Sequence, residues 1–199
     1  MIAVLTGDII NSQNGATEDW LKLLKNTLNI YGETPKDWEI FRGDSFQLRL
    51  PVNKAVIAAI HLKSSIKQYS LYDIRMAIGI GEETYNSDRV SEANGKAYVF
   101  SGECFESLKK HTLALKSTKS QFDLTINIML QLILKTADKW TSTQAQVVKY
   151  AIENQNKTQK QLAELLQKSQ STTSEALNRA GFEEILMVNE YYKNNIYQL

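Results

Sequence analysis

The sequence is poor in the residues that cross-link or interrupt small folds. Its 199 residues include one cysteine, two prolines and two histidines. A single thiol, Cys104, excludes an intramolecular disulfide framework. Cys104, His61 and His111 are too few for a four-ligand zinc site, so any metal is expected on oxygen, as magnesium or calcium. An excess of charge is also lacking. With 23 basic and 22 acidic groups the net charge is +1, which gives no global sign of a polyanionic partner. Long hydrophobic runs are missing as well. The most apolar stretch, Ile126 to Leu134, is broken by Asn127 and Gln131 and falls far short of the ~20 residues that span a bilayer. The opening MIAVLTGD has no basic segment and meets Asp8 at once, unlike a secretory signal. The expectation is a soluble cytoplasmic protein without membrane contact. A hydrophobic content of 43% supplies a core, and the length fits one large domain or two small ones.

What is present changes character along the chain. Ile2 to Thr6 is a short apolar run ended by Gly7-Asp8, a buried strand. Trp20, Leu23, Leu24, Thr27, Leu28 and Tyr31 recur at helical spacing, with Thr17 as N-cap. Trp38, Ile40 and Arg42 alternate, Gly43-Asp44 follows, and Phe46, Leu48 and Leu50 alternate again. This reads as a hairpin, although two-residue turns favour the order Asp-Gly. Val52 to Ile66 is a helical stripe, and Ile74, Met76, Ile78 and Ile80 form another strand. Glu82 to Asn94 reads as a polar loop, Ala97 to Leu108 as a helix, Leu113 and Leu115 as a short strand. The order β-α-β-β-α-β predicts a ferredoxin-like α+β arrangement, an antiparallel sheet with helices on one face. From Gln121 onward only helical periodicity remains. The organisation expected is an α+β domain over 1–118, a connecting helix over 119–140, and an all-α domain over 141–199.

Asp8 ends the first strand and Asp44 lies in the hairpin turn. If the first strand pairs with the hairpin, both carboxylates reach one edge of the sheet. There they could bind Mg²⁺, with waters or a phosphate completing the octahedron. The alternative is that Asp8 caps a loop and Asp44 supplies turn chemistry.

AVLTGDIINS, FRGDSFQL and IRMAIGIGE resemble the catalytic domain of class III nucleotidyl cyclases. The resemblance implies that Asp8 and Asp44 are metal ligands and that the backbone of Ile9 and Ile10 lies near a triphosphate. It also implies a homodimer. That family's later helix carries an Asn and then an Arg for the transition state. The comparable segment here is ANGKAYVFSGECFESL. Asn94 precedes the helix and Ser101-Gly102 stands about where the Arg is expected; neither donor has an obvious substitute, Lys96 being a candidate out of place. A cyclase without that Arg would lose several kcal/mol of transition-state stabilisation. The set TGDIINS, GDSFQ, RMAIGIGE and NGKAY, followed by C-terminal helices, resembles the SatD family over essentially the whole chain. Its members are bacterial proteins often described as regulators.

TQKQLAELLQKSQSTTSEALNRA resembles a helix-turn-helix. Leu162, Leu166 and Leu177 would share a small core, Ala163 would permit a close helix crossing, and Ser169 to Ser171 would cap the second helix. The candidate DNA contacts are Gln170, Ser171, Thr172, Ser174, Glu175, Asn178 and Arg179, with Gln159, Lys160 and Lys168 on phosphates. Gln167 occupies the turn position where such motifs favour glycine, and Lys168 and Thr173 replace buried aliphatic residues. Residues 157–179 hold Lys157, Lys160, Lys168 and Arg179 against Glu164 and Glu175, a small basic excess.

The expectation is a DNA-binding transcriptional regulator with a cyclase-like domain that senses a nucleotide or phosphate. The alternative is a divergent nucleotidyl cyclase or nucleotidyltransferase. Arg42 and Arg75 are candidate ligand contacts beside the acidic pair. His61 and Cys104 read as core residues, and Trp140 as a packing residue at the junction.

Overall fold

The computed structural model describes residues 1–197. Its centre is β1 (Ile2–Ile10), whose side chains alternate between two packed layers. Ala3, Leu5 and Ile9 enter the main core, whereas Val4 packs with Ala97 and Tyr98 on the opposite face. β2 (Trp38–Phe41) and β3 (Ser45–Pro51) flank it on one side, β4 (Asp73–Gly81) on the other. β1 is antiparallel to both β3 and β4, and β2 to β3. The helices α1 (Thr17–Tyr31), α2 (Ala55–Ile66) and α3 (Lys96–Ser107) follow β1, β3 and a small ladder in turn. A last strand, β7 (Leu113–Lys116), joins β4 in parallel, so the sheet is mixed and runs β2-β3-β1-β4-β7.

Helices cover both faces of this sheet. Every residue of α2 is buried, as expected for a helix that is apolar nearly all round. On the opposite face α3 lies directly on β4. A Cβ at Gly79 would sit 2.1 Å from the Ala97 carbonyl oxygen, so only glycine permits this approach. α1 and α2, the helices of the β-α-β-β-α-β set, share the main-core face, and α3, which follows that set, takes the other: the alternation of β4 gives Ile74, Met76, Ile78 and Ile80 to the α2 side and Ala77, with the glycines, to α3.

Three local expectations also change. Thr17 begins α1, but Ala16 is its N-cap and no side chain caps it. Arg42 belongs to the turn and not to β2, because Phe41 and Ser45 already close the hairpin. Arg42 and Gly43 both have positive φ, 53° and 92°, so the glycine serves a three-residue turn and not a two-residue one. Residues 82–94 are not all loop, since β5 (Glu83–Tyr85) pairs with β6 (Asn94–Gly95).

Five helices complete the chain: α4 (Ser120–Ala137), α5 (Ser142–Glu153), α6 (Gln159–Leu165), α7 (Gln170–Ala180) and α8 (Phe182–Ile196). The core of the sheet continues into them through Ile126, Leu130, Trp140, Val148, Ile185 and Tyr192. Trp140 donates its indole N–H to the Ala180 carbonyl at 3.0 Å, and the Tyr192 hydroxyl donates to the Val52 carbonyl at 2.6 Å. A smaller core of Val147, Ala151, Leu162, Ala176 and Leu177 sits under α5, α6 and α7. Among the described residues no helix is long and apolar enough to cross a membrane.

Candidate functional site

The pairing of β1 with its neighbours decides what meets Asp8. Asp8 stands opposite Ser45 on β3 and opposite Arg75 on β4. Arg75 grips it with two bonds, Nε to Oδ1 at 3.2 Å and Nη2 to Oδ2 at 2.5 Å. The guanidinium also lies over the Phe105 ring, 4.8 Å from its centroid. The hydrogen bond to Asp8 raises the Arg75 pKa above its ordinary value, outweighing the cost of burial. Asp44 comes to the same end of the sheet: its carbonyl accepts from the Ile9 N–H at 3.2 Å. Its Oδ2 accepts from the Ser12 hydroxyl at 2.5 Å. Arg42 is exposed on the adjoining turn. The Ile9 side chain is buried in the core and Ile10 is half-buried.

This donor set does not fit Mg²⁺ as arranged. Both oxygens of Asp8 are engaged by a cation already, and a metal would have to displace Arg75 while meeting its charge. Among the described residues no group of three or more His, Cys, Asp or Glu side chains could hold a metal.

Asn94 and Lys96 lie elsewhere. Asn94 lies on β6 and Lys96 begins α3 beside Gly81, which pairs with Ile2, at the far end of β1 from Asp8. Ile2 and Asp8 are six residue steps apart along β1, roughly 20 Å at about 3.3 Å per step. The structure therefore does not bring Asn94 and Lys96 together with Asp8 and Asp44. Ser101 is fully buried. Its hydroxyl donates to the Tyr98 carbonyl at 2.9 Å and lies 3.0 Å from the Thr6 hydroxyl. That position faces the sheet and not a ligand.

The second candidate surface is formed by α6 and α7. Thr158 caps α6 reciprocally with Gln161, and Ser169 caps α7 by accepting from the Thr172 N–H at 3.0 Å. The turn between them holds Gln167 at φ 52°, and the Lys168 N–H closes back on the Ala163 carbonyl at 3.0 Å. This is the left-handed helix ending that usually takes glycine. Thr173 is buried at an aliphatic position. Its hydroxyl donates to the Ser169 carbonyl at 3.1 Å, so the polar group is satisfied within the helix.

Gln159, Lys160, Gln170, Ser171, Thr172, Glu175, Asn178 and Arg179 are exposed, while Lys168 and Ser174 are half-buried. Arg179 is engaged with Glu175 at 2.6 Å, one helical turn back. Gln159, Ser174 and Asn178 also line a groove of about 700 Å³, floored by Leu162, Leu177 and Phe182 and walled by Glu183, Glu184 and Glu190 of α8.

Three polar clusters, two of them centred on buried side chains of α2, were not anticipated from the sequence. The His61 ring, 1% exposed, lies between Tyr31 and Glu153 at 3.0 and 3.1 Å. Lys63 is fully buried between Asp73 and Asp138, 2.7 Å from each. Arg49 holds Glu83 with two bonds at 2.6 and 2.7 Å, and Tyr98 donates to the same carboxylate at 2.8 Å. For the first two the available signal was α2 itself, since polar residues in an otherwise apolar helix must find partners inside the protein. Cys104 is a core residue: burial pushes its thiol up to about 11, which argues against a nucleophile.

These elements define an α+β protein in which a mixed five-stranded sheet shares its core with a C-terminal helical array. The SatD family model matches residues 1–195, and the chain belongs to the SatD family. Neither a curated protein nor a solved structure matches it.

Proposed function

We propose that this protein is a DNA-binding transcriptional regulator in which α6, the Leu166–Ser169 turn and α7 form a helix-turn-helix. The observation that carries the reading is the division of α7. Thr173, Ala176, Leu177 and Ala180 face inward, leaving Ser171, Thr172, Glu175 and Asn178 outward on a capped helix. A recognition helix presents its N-terminal residues to base edges in this way. Gln159, Lys160 and Lys168 stand where phosphate contacts would fix register.

On this reading the N-terminal layer is the sensor. The antiparallel β2-β3-β1-β4 order supports a ferredoxin-like, cyclase-like domain. Its candidate ligand site is the end of the sheet bearing Asp8, Asp44, Arg75 and Arg42. A nucleotide or phosphate there would compete with Asp8 for Arg75, and the continuous core would carry the change to α5, on which α7 packs. The buried Ser101 at the position expected for a transition-state arginine favours sensing over catalysis.

The test is selection of genomic DNA fragments on the immobilised protein at low salt, followed by affinity measurement. Asn178→Ala should weaken a selected site by about 1–3 kcal/mol and relax specificity at one base pair. Lys160→Ala should weaken all sequences alike and lower the salt slope by about 1. Retention of no fragment at low salt overturns the reading. Formation of a product from ATP or GTP that is lost in Asp8→Ala and Asp44→Ala would replace it with the enzyme.

A further inference from the structure

We propose that the groove between α5, α6, α7 and α8 binds a small organic ammonium ion with an apolar body and N–H donors. The floor is apolar, built from Leu162 of α6, Leu177 of α7, and Phe182 and Leu186 of α8. Its volume of about 700 Å³ lies within the usual range of small-ligand sites, roughly 300–1,000 Å³. A docked helix about 10 Å across would fill that space with only about six residues. The groove therefore suits a small molecule and not a helical partner segment.

Two walls select a cation. Glu183, Glu184 and Glu190 line one of them, against a single lysine, Lys157. Lys193 engages Glu190 at 2.7 Å, but among the described residues no basic side chain pairs with Glu183 or Glu184. The positive end of α8 favours acids in its first turn, yet about half an elementary charge does not neutralise two carboxylates. Another wall is the C-terminal end of α5, through Ala151, Asn154 and Gln155. The last turn of α5 holds no basic residue, so no side-chain cation offsets its partial negative charge. Both walls repel an anion, a nucleic-acid phosphate included.

An independent observation lies beneath the floor. Asn189 is 4% exposed, and its Oδ1 has no hydrogen-bond partner. It follows Phe182 by seven residues, so at about 100° per residue it stands about 20° from Phe182 around α8. Buried amide oxygens are normally paired, and an ammonium N–H is the kind of donor this one lacks. A ligand head inserted between Phe182 and Leu186 meets Asn189 beneath and the glutamates at the rim. Ser174 and Asn178 line the groove from α7, so an occupant touches the helix assigned above to the bases and should oppose DNA retention. That consequence rests on the DNA reading; the site itself does not.

Titration calorimetry without DNA, below micelle-forming concentrations, tests the site with octylammonium, octanol and octanoate, which share one apolar chain. Octylammonium should bind at least about tenfold more tightly than either of the others. The double variant Glu183→Gln, Glu184→Gln should cut that preference to within about threefold and leave octanol binding unchanged. Leu186→Gln should weaken all three alike. Asn189→Leu should keep the circular dichroism spectrum and weaken octylammonium by about fivefold or more. No binding of octylammonium, equal binding of octanoate, a preference that survives in the double variant, or an octylammonium affinity unchanged in Asn189→Leu overturns the proposal. Because DNA is absent, these outcomes are read separately from the DNA-retention result.

Discussion

The His61 Nε2 atom lies 3.1 Å from Glu153 Oε1, although the two residues are 92 positions apart. The contact joins α2, buried against the sheet, to the end of α5. The ring's other nitrogen faces the Tyr31 hydroxyl of α1 at 3.0 Å. The geometry lets Nε2 donate to the carboxylate while Nδ1 faces the phenol oxygen. Burial, and then the Glu153 charge, raise the Tyr31 pKa and keep that phenol a donor. Lys149 binds both oxygens of Glu153 at 2.7 and 2.8 Å.

His61→Phe keeps most of the volume but leaves the Tyr31 hydroxyl without its partner. We expect a loss of about 1–3 kcal/mol in urea unfolding. His61→Ala adds a cavity and should cost about 3–5 kcal/mol. If His61→Phe unfolds at the wild-type urea concentration, the relay contributes nothing to stability.

Lys63 makes a stronger case. Its ammonium, with no exposed surface, meets Asp73 of β4 and Asp138 beyond α4 and lies 3.2 Å from the Thr112 hydroxyl. Lys67 adds a bond to the other oxygen of Asp73 at 3.1 Å. Lys63→Met removes a cation from two carboxylates that remain. A loss of about 3–5 kcal/mol is expected for breaking a buried pair from one side. Lys116→Met is the control: its partner Glu103 is 53% exposed, and the loss should stay below about 1 kcal/mol. Equal losses in the two variants would contradict the buried role of Lys63.

Local pattern made much of this molecule legible. The alternations in β1, β3 and β4 and the capped periodicity of α5 to α7 are properties of neighbouring residues, and each appears close to where the sequence placed it. The proximity of Asp44 to the end of β1 followed from one assumption about strand pairing. The charged clusters were not legible, because His61 and Glu153, or Lys63 and Asp138, meet only after distant elements pack. The same cause misplaced Asn94 and Lys96. Their spacing beside a helix start carried no information about which end of the sheet that helix start would occupy. The β5–β6 ladder was hidden because it has little apolar content. It is held to β3 by Arg49 and Glu83.

The Arg49–Glu83 pair has a pH signature. The hydrogen bond from Arg49 holds the Glu83 carboxyl below its ordinary range, against the opposing effect of burial. Its folded pKa lies below its unfolded value of about 4.3. The stabilisation is therefore complete above that value and is lost as pH falls through it towards the folded pKa. Arg49→Met should be less stable at neutral pH by about 1–3 kcal/mol. Its stability should also fall less steeply between pH of about 5 and 3. Parallel acid limbs in the two proteins, read by urea unfolding across that range, would show that the pair does not titrate with folding.

Gln167 offers a change in the opposite direction. It sits at φ 52° in the turn between α6 and α7, exposed to solvent. A side chain with a Cβ is strained in the left-handed region, by about 1–2 kcal/mol, and glycine is not. Gln167 makes no side-chain hydrogen bond that its replacement would break, among those of the described residues. Gln167→Gly therefore relieves native-state strain, while the more flexible unfolded chain offsets part of the gain. The expected net effect is a stabilisation of about 0.5–1 kcal/mol, seen as a higher urea midpoint with an unchanged slope. Gln167→Val should act oppositely, since a branched Cβ is strained further at positive φ. A destabilised glycine variant would mean that the Gln167 side chain contributes contacts that outweigh the strain of its own backbone.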